Sequence, residues 1–175
     1  MATETLPTSS VPLSIEPQLS HALDEAVRRA FVMCDCEVRC VGLSEIPSRE
    51  GGKVTGIIGV HGRVSGFVTV NVSESFAIRA VGGLLHENYG HLTPQVIDGV
   101  GEITNVVVGG IKAALANTQW AFPHITVPSV IVGNGYQIAY ARGLTFVCAL
   151  FEHENSDAVL LSDRTVQVSL SLMPL

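Results

Sequence analysis

The chain has 175 residues, 47% of them hydrophobic and only 15% charged, with a formal net charge of −6. A chain of this length can bury roughly two-thirds of the surface its unfolded form exposes, which suffices for one core; the apolar composition asks for a large core, an added interface, or both. The acidic balance and the lack of any Lys/Arg cluster speak against electrostatic nucleic-acid binding, and no apolar run approaches the ~20 residues that span a bilayer.

Residues 1–13 (MATETLPTSSVPL) have neither a basic start nor an apolar middle, so they do not read as a secretion signal. They read as a disordered tail ahead of a single domain over 14–175, expected in the cytoplasm. Residues 16–33 follow a helical rhythm, with Leu19, Leu23, Ala26, Val27, Ala30 and Phe31 on one face and Pro17 in the first turn. Residues 36–44 read as extended. After Gly51-Gly52, residues 53–60 and 65–72 form a hairpin around His61-Gly62-Arg63, with Val68, Val70 and Val72 on one face and Phe67, Thr69 and Asn71 on the other. Ser73 caps a helix that runs to about Leu85, with Glu74 in its first turn.

The loop HENYGHL (86–92) contains His86 and His91, which read as solvated side chains rather than metal ligands. Thr93-Pro94 then announces a long helix to about Asn117, with Thr93 as N-cap and Pro94 at the first helical position. Gly99, Gly101, Gly109 and Gly110 lie inside it, each at a cost of about 0.5–1 kcal/mol relative to Ala, which calls for a packing or docking reason. The last third is β-rich, with strands expected over 125–132, 136–140, 144–153 and 164–173 and turns at 133–135 and 154–157. The order predicts an α/β layer arrangement with a largely antiparallel sheet, not a doubly wound dinucleotide fold; no GxGxxG or Walker motif occurs.

Four cysteines are present: Cys34, Cys36, Cys40 and Cys148. They read as reduced, buried thiols, and C-x-C-x3-C supplies only three of the four ligands that a closed zinc site needs.

On a helical wheel, Val96, Ile97, Val100, Ile103, Val107, Val108, Ile111, Ala114 and Leu115 fill one broad apolar side of the helix at 94–117. Asp98, Glu102, Asn105, Gly109 and Ala116 fall together on the opposite side, flanked by Lys112 and Ala113. The polar side is therefore also a bed of small residues, Gly109, Ala113 and Ala116, on which another molecule can lie. Glu102 and Asn105, one turn apart, project from it. Such a pair suits hydrolysis of an acyl phosphate, which is already activated and needs a water held in line with phosphorus rather than a strong nucleophile. A neutral carboxamide can accept from and donate to that water, as the water-positioning glutamine of small GTPases does. A neighbouring carboxylate can anchor a lysine of the partner or help orient the water. Bare E-x-x-N is short enough to recur by chance, at Glu152 and Asn155.

The longer stretch VIDGVGEITNVVVGG resembles the signature helix of the CheC/CheX phosphatase family: Asp or Ser, three residues, Glu, two residues, Asn, then a distant proline, here Asp98, Glu102, Asn105 and Pro128. The segments 56–85 and 127–135 are similar to the family's hairpin-plus-helix and following strand. The resemblance spans roughly residues 16–172. It implies a CheC/CheX-like fold and hydrolysis of the phospho-aspartate of a CheY-like receiver. In that role Asn105 orients the water, Glu102 contacts the receiver's lysine, and Asp98, Gly109 and Ala113 serve the partner surface. The resemblance also implies Mg²⁺ supplied by the receiver and no metal in this chain. The first helix has Glu25 followed by Arg28 where a second signature would have Asn, which implies one site per chain, as in CheX-like members, and a homodimer. Thr104 stands where glycine is common in the family, and it lies toward the buried side. The alternatives are a non-catalytic module that binds a receiver or flagellar-switch component, a scaffolding domain that dimerises through its sheet, and a metal site at Cys34, Cys36 and Cys40.

Overall fold

The computed structural model describes residues 15–46, 53–134, 136, 138, 143–154 and 156–175. The tail at 1–13 lies outside the described residues, and so does most of the strand expected at 136–140. Helix α1 (Pro17–Val32) starts at its proline and buries the stripe from Leu19 to Phe31. Strands β1 (Val38–Ser44), β2 (Val54–His61) and β3 (Val64–Val72) follow, β2 and β3 being joined by the tight turn Gly62-Arg63. Helix α2 (Glu74–Leu85) begins where Ser73 Oγ accepts the Phe76 N–H at 3.1 Å. Helix α3 (Pro94–Leu115) begins where Thr93 Oγ1 accepts the Val96 N–H at 3.2 Å. Strands β4 (His124–Ile125), β5 (Ser129–Val132), β6 (Thr145–His153) and β7 (Thr165–Pro174) complete the chain.

The strands form one seven-stranded sheet in the order β1-β6-β7-β3-β2-β4, with β5 also paired to β2. Every pairing is antiparallel. The antiparallel α/β arrangement expected from the sequence is the one observed.

The period-2 alternation of β3 puts Val68, Val70 and Val72 in the core, while β7 contributes Val166, Val168, Leu170 and Leu172 beside them. The helices cover this face. Each such valine or leucine contributes about 1.5–3 kcal/mol by leaving water. On α2, Phe76 meets Phe31 of α1 edge-on, with ring centroids 5.6 Å apart.

The single strand expected over 125–132 is two short strands instead. Thr126 exchanges bonds with Gly59: its N–H donates to Gly59 O at 2.9 Å, and its Oγ1 accepts the Gly59 N–H at 2.9 Å. Pro128 has no N–H to give a ladder, and pairing resumes only at Ser129. The long helix stops at Leu115 rather than Asn117, where Thr118 Oγ1 donates to Leu115 O at 2.9 Å.

Candidate functional site

Helix α3 is held from below and open above. Val96, Val100, Ile103, Val107, Val108, Ile111 and Leu115 are buried. Thr104 is fully buried as well, its Oγ1 donating to Val100 O at 2.7 Å. It rests on Gly56 of β2, where an added Cβ would lie 1.9 Å from Thr104 Oγ1.

The helix glycines divide by cause. A Cβ on Gly99 would strike Val81 of α2 at 2.5 Å, and one on Gly110 would lie 2.9 Å from Ala26 Cβ of α1. These two exist for close packing. A Cβ on Gly109 would meet nothing within 4 Å. Gly101 faces Pro128, whose Cγ would be in ordinary contact with an added Cβ at 3.7 Å, so the distant proline of the sequence pattern comes to rest beside α3 at Gly101.

Asp98, Glu102 and Asn105 are exposed on the side of α3 away from the core. Among the described residues, none makes a hydrogen bond or ion pair with their side chains. Asn105 opens onto a cleft of about 750 Å³, which Gly109, Ala113 and Ala116 line from the helix side. The far wall is Ala121, Phe122, Pro123 and Ile125, with Gly62 and Arg63 of the hairpin turn at its rim and Lys112 on the helix edge.

The sequence places the small-residue bed correctly but gives no sign of this second wall. It exists because the Arg63 N–H donates to Ala121 O at 2.8 Å, tying the hairpin turn to the segment after α3.

The other candidates are placed elsewhere. On α1 the Glu25 carboxylate lies 2.6 Å from Arg29, and Arg28 lies 3.7 Å from Asp24, so that helix face satisfies itself. Glu152, head of the second E-x-x-N, lies one residue before the end of β6, with Arg39 Nη2 at 3.3 Å. Arg164 Nε lies 2.9 Å from its other oxygen, a close charge contact not aligned as a hydrogen bond. Asn155 lies outside the described residues.

Cys34 and Cys36 are buried, Cys40 is half-buried and Cys148 is buried on its own strand. Burial pushes the Cys34 thiol up to about 12 and the Cys36 thiol up to about 11. Among the described residues, no group of three His, Cys, Asp or Glu is placed to hold a metal ion. His86 and His91 are exposed, and His86 serves as the left-handed cap of α2.

Fold and site together define a class: an antiparallel sheet with helices packed on it, one of which turns a carboxylate–amide pair outward beside a bed of small residues. The chain belongs to the family described as chemotaxis phosphatase CheX, whose model matches residues 54–152, over half its length. That span contains the hairpin, α2, α3 and Pro128.

Among solved structures, the chain is similar to chemotaxis protein CheX from Vibrio vulnificus. The two share 23% identity with a TM-score of 0.71, over 90% of this chain and 98% of that one. It is similar to a CheC-like superfamily protein from Shewanella sp. PV-4 at 20% identity and TM-score 0.74, over 89% of this chain and 97% of that one. It also matches the complex of CheX with CheY, BeF₃ and Mg²⁺ from Borrelia burgdorferi at 19% identity and TM-score 0.67, over 89% of this chain and 96% of that one. At these identities the likeness concerns the fold. No curated protein matches. Among the described residues, no helix is long and apolar enough to cross a membrane.

Proposed function

We propose that this chain hydrolyses the aspartyl phosphate of a CheY-type receiver, with Asn105 and Glu102 as the groups that meet the receiver's reacting centre. The observation that carries this reading is the state of their side chains. They stand one turn apart on the exposed face of α3 and have no partner among the described residues. A helix that spends so much of its surface on packing leaves these groups free for something outside the chain. Family membership supplies the class of that something, and the related Borrelia protein is held with CheY, BeF₃ and Mg²⁺.

Water attacks phosphorus as the bond to the aspartyl oxygen breaks, giving a carboxylate and inorganic phosphate. The Asn105 amide accepts a hydrogen bond from that water and fixes its line of approach. No strong base is required, because the transition state is loose and the leaving carboxylate is good. Glu102, one turn earlier, lies where a receiver lysine can pair with it, and Asp98 extends the same acidic edge. Mg²⁺ belongs to the receiver in this reading.

The test follows phosphate loss from a phosphorylated CheY-type receiver with and without the chain. Asn105→Ala is expected to slow the stimulated rate by about 100-fold, the size of effect produced by misplacing a reacting group. A variant as fast as wild type refutes the assigned mechanism.

A further inference from the structure

Two cations beside the site are unspent. Lys112 of α3 and Arg63 of the hairpin turn both border the cleft below Asn105. Among the described residues neither side chain has a hydrogen-bond or ion-pair partner, in a chain whose net charge is −6. A lysine near a helix C-terminus suits the helix dipole and needs no further reason. Arg63 comes from another element and is brought to the same rim by the bond from its own N–H to Ala121 O, so the dipole does not account for it.

The exposed face of α3 is polarised about Asn105. Asp98 lies seven residues before it and Lys112 seven residues after it, about 10 Å in each direction along the axis. We propose that the cleft receives a second segment of the receiver partner, one that presents an apolar side chain beside carboxylates, and that Lys112 and Arg63 pair with those carboxylates. This inference rests on the reading of α3 as the receiver-binding helix.

The apolar walls, Ala113, Ala116, Phe122, Pro123 and Ile125, take the side chain, and the cations at the rim fix its direction. Docked one way, the receiver lays its lysine over Glu102 and its carboxylates over Lys112 and Arg63. Docked the other way, it meets like charge at both ends. The cleft thereby sets the orientation of the receiver and the choice among receivers.

The experiment measures binding of the full chain to the CheY-type receivers of its own organism, each charged with beryllofluoride and Mg²⁺. Arg63→Glu/Lys112→Glu is expected to weaken binding at least tenfold at ~50 mM salt, with a smaller deficit at ~500 mM where surface charge is screened. Arg63→Gln/Lys112→Gln is expected to fall between it and wild type. Both pairs are surface substitutions, and an unchanged melting curve confirms that they fold.

Binding of the charge-reversed pair within about twofold of wild type overturns the proposal. Conversion of a wild-type dimer to monomer by the same substitutions also overturns it, because a second copy then fills the cleft. A wild-type chain that binds no charged receiver overturns this proposal and the functional reading together. Binding without faster phosphate loss overturns the catalytic reading alone, and the same variants then still decide the cleft.

Discussion

Gly56→Ala tests the packing that sets the height of the site above the sheet. The new Cβ would lie 1.9 Å from Thr104 Oγ1, 2.9 Å from Thr104 Cβ and 3.0 Å from Thr104 Cγ2. Thr104 cannot turn away cheaply. Its Oγ1 donates to Val100 O at 2.7 Å in a fully buried position, and rotating it strands a buried hydroxyl at about 1–3 kcal/mol. Thr104 Cβ, 2.9 Å away, moves only with the helix backbone, so the strand and the helix must separate. We expect a cost of about 2–3 kcal/mol, the upper part of the usual range for overpacking, seen as a fall in melting temperature of roughly 4–12 °C for a chain of this size. Thr104→Gly alone is expected to cost about 1–2 kcal/mol through lost burial and helix propensity. The double variant should cost little more than Thr104→Gly, because the clash has gone. Urea unfolding of the four proteins followed by circular dichroism closes the cycle. If the two single costs add to within about 0.5 kcal/mol, Gly56 and Thr104 are not coupled and the packing argument is wrong. The same four proteins can be assayed for phosphatase activity. Thr104 precedes Asn105, so Gly56→Ala should lower activity at temperatures where the protein is still folded, and Thr104→Gly should restore part of it.

Adjacent glycines of α3 should respond in opposite ways. Gly110→Ala is destabilising, since its Cβ would lie 2.9 Å from Ala26 Cβ; Gly109→Ala, with nothing within 4 Å, should stabilise by about 0.5–1 kcal/mol, while Gly109→Leu folds but fills the cleft and abolishes receiver binding in a pull-down. Burial holds the His153 pKa below its ordinary 6.5, with Arg79 as the next cause. The unfolded chain therefore binds the proton more readily, and the folded state retains full stability above about pH 6.5 and loses it as pH falls toward the lowered value. Urea midpoints measured from about pH 8 to 5 should decline below 6.5 for wild type and flatten for His153→Leu. Cys34 and Cys36, with thiols pushed up to about 12 and about 11, should resist iodoacetamide at neutral pH until the chain is unfolded; mass spectrometry that finds either alkylated in native protein would contradict their placement.

What the sequence made legible was local. The α3 stripe, its Thr93 cap and the common face of Asp98, Glu102 and Asn105 follow from a 3.6-residue period that no tertiary contact has to supply, although Ala114, expected in the stripe, is exposed and Ile97 only half-buried. The β3 alternation follows in the same way from a period of two. The break between β4 and β5 was missed although Pro128 lies in it, and its cause includes the paired bonds of Thr126 with Gly59, a partner far away in the chain. The cleft was not legible, because its far wall depends on the contact between Arg63 and Ala121. Nor could composition separate Gly99 and Gly110, placed under Val81 and Ala26, from Gly109, which faces open space. All are helix glycines, and only the neighbours that a Cβ would meet tell them apart.

The site residues pose a question of precision. Asn105 and Glu102 are exposed, and among the described residues no hydrogen bond holds their side chains. A reacting geometry tolerates misplacement of only about 0.5 Å. The fixed part must therefore be the helix backbone, and the contacts beneath it show how it is fixed. Val81 sits on Gly99, Gly56 sits under Thr104, and Ala26 sits on Gly110. These contacts are spread along α3 and come from α2, β2 and α1 in turn. Each is a close approach that a larger residue would break, so each resists sliding or lifting of the helix. The side chains are left free to settle only when a partner arrives, while the backbone that carries them is already in place. Weakening any one of the three contacts should thus lower catalysis before it lowers receiver binding, whereas changes at the cleft rim should do the reverse.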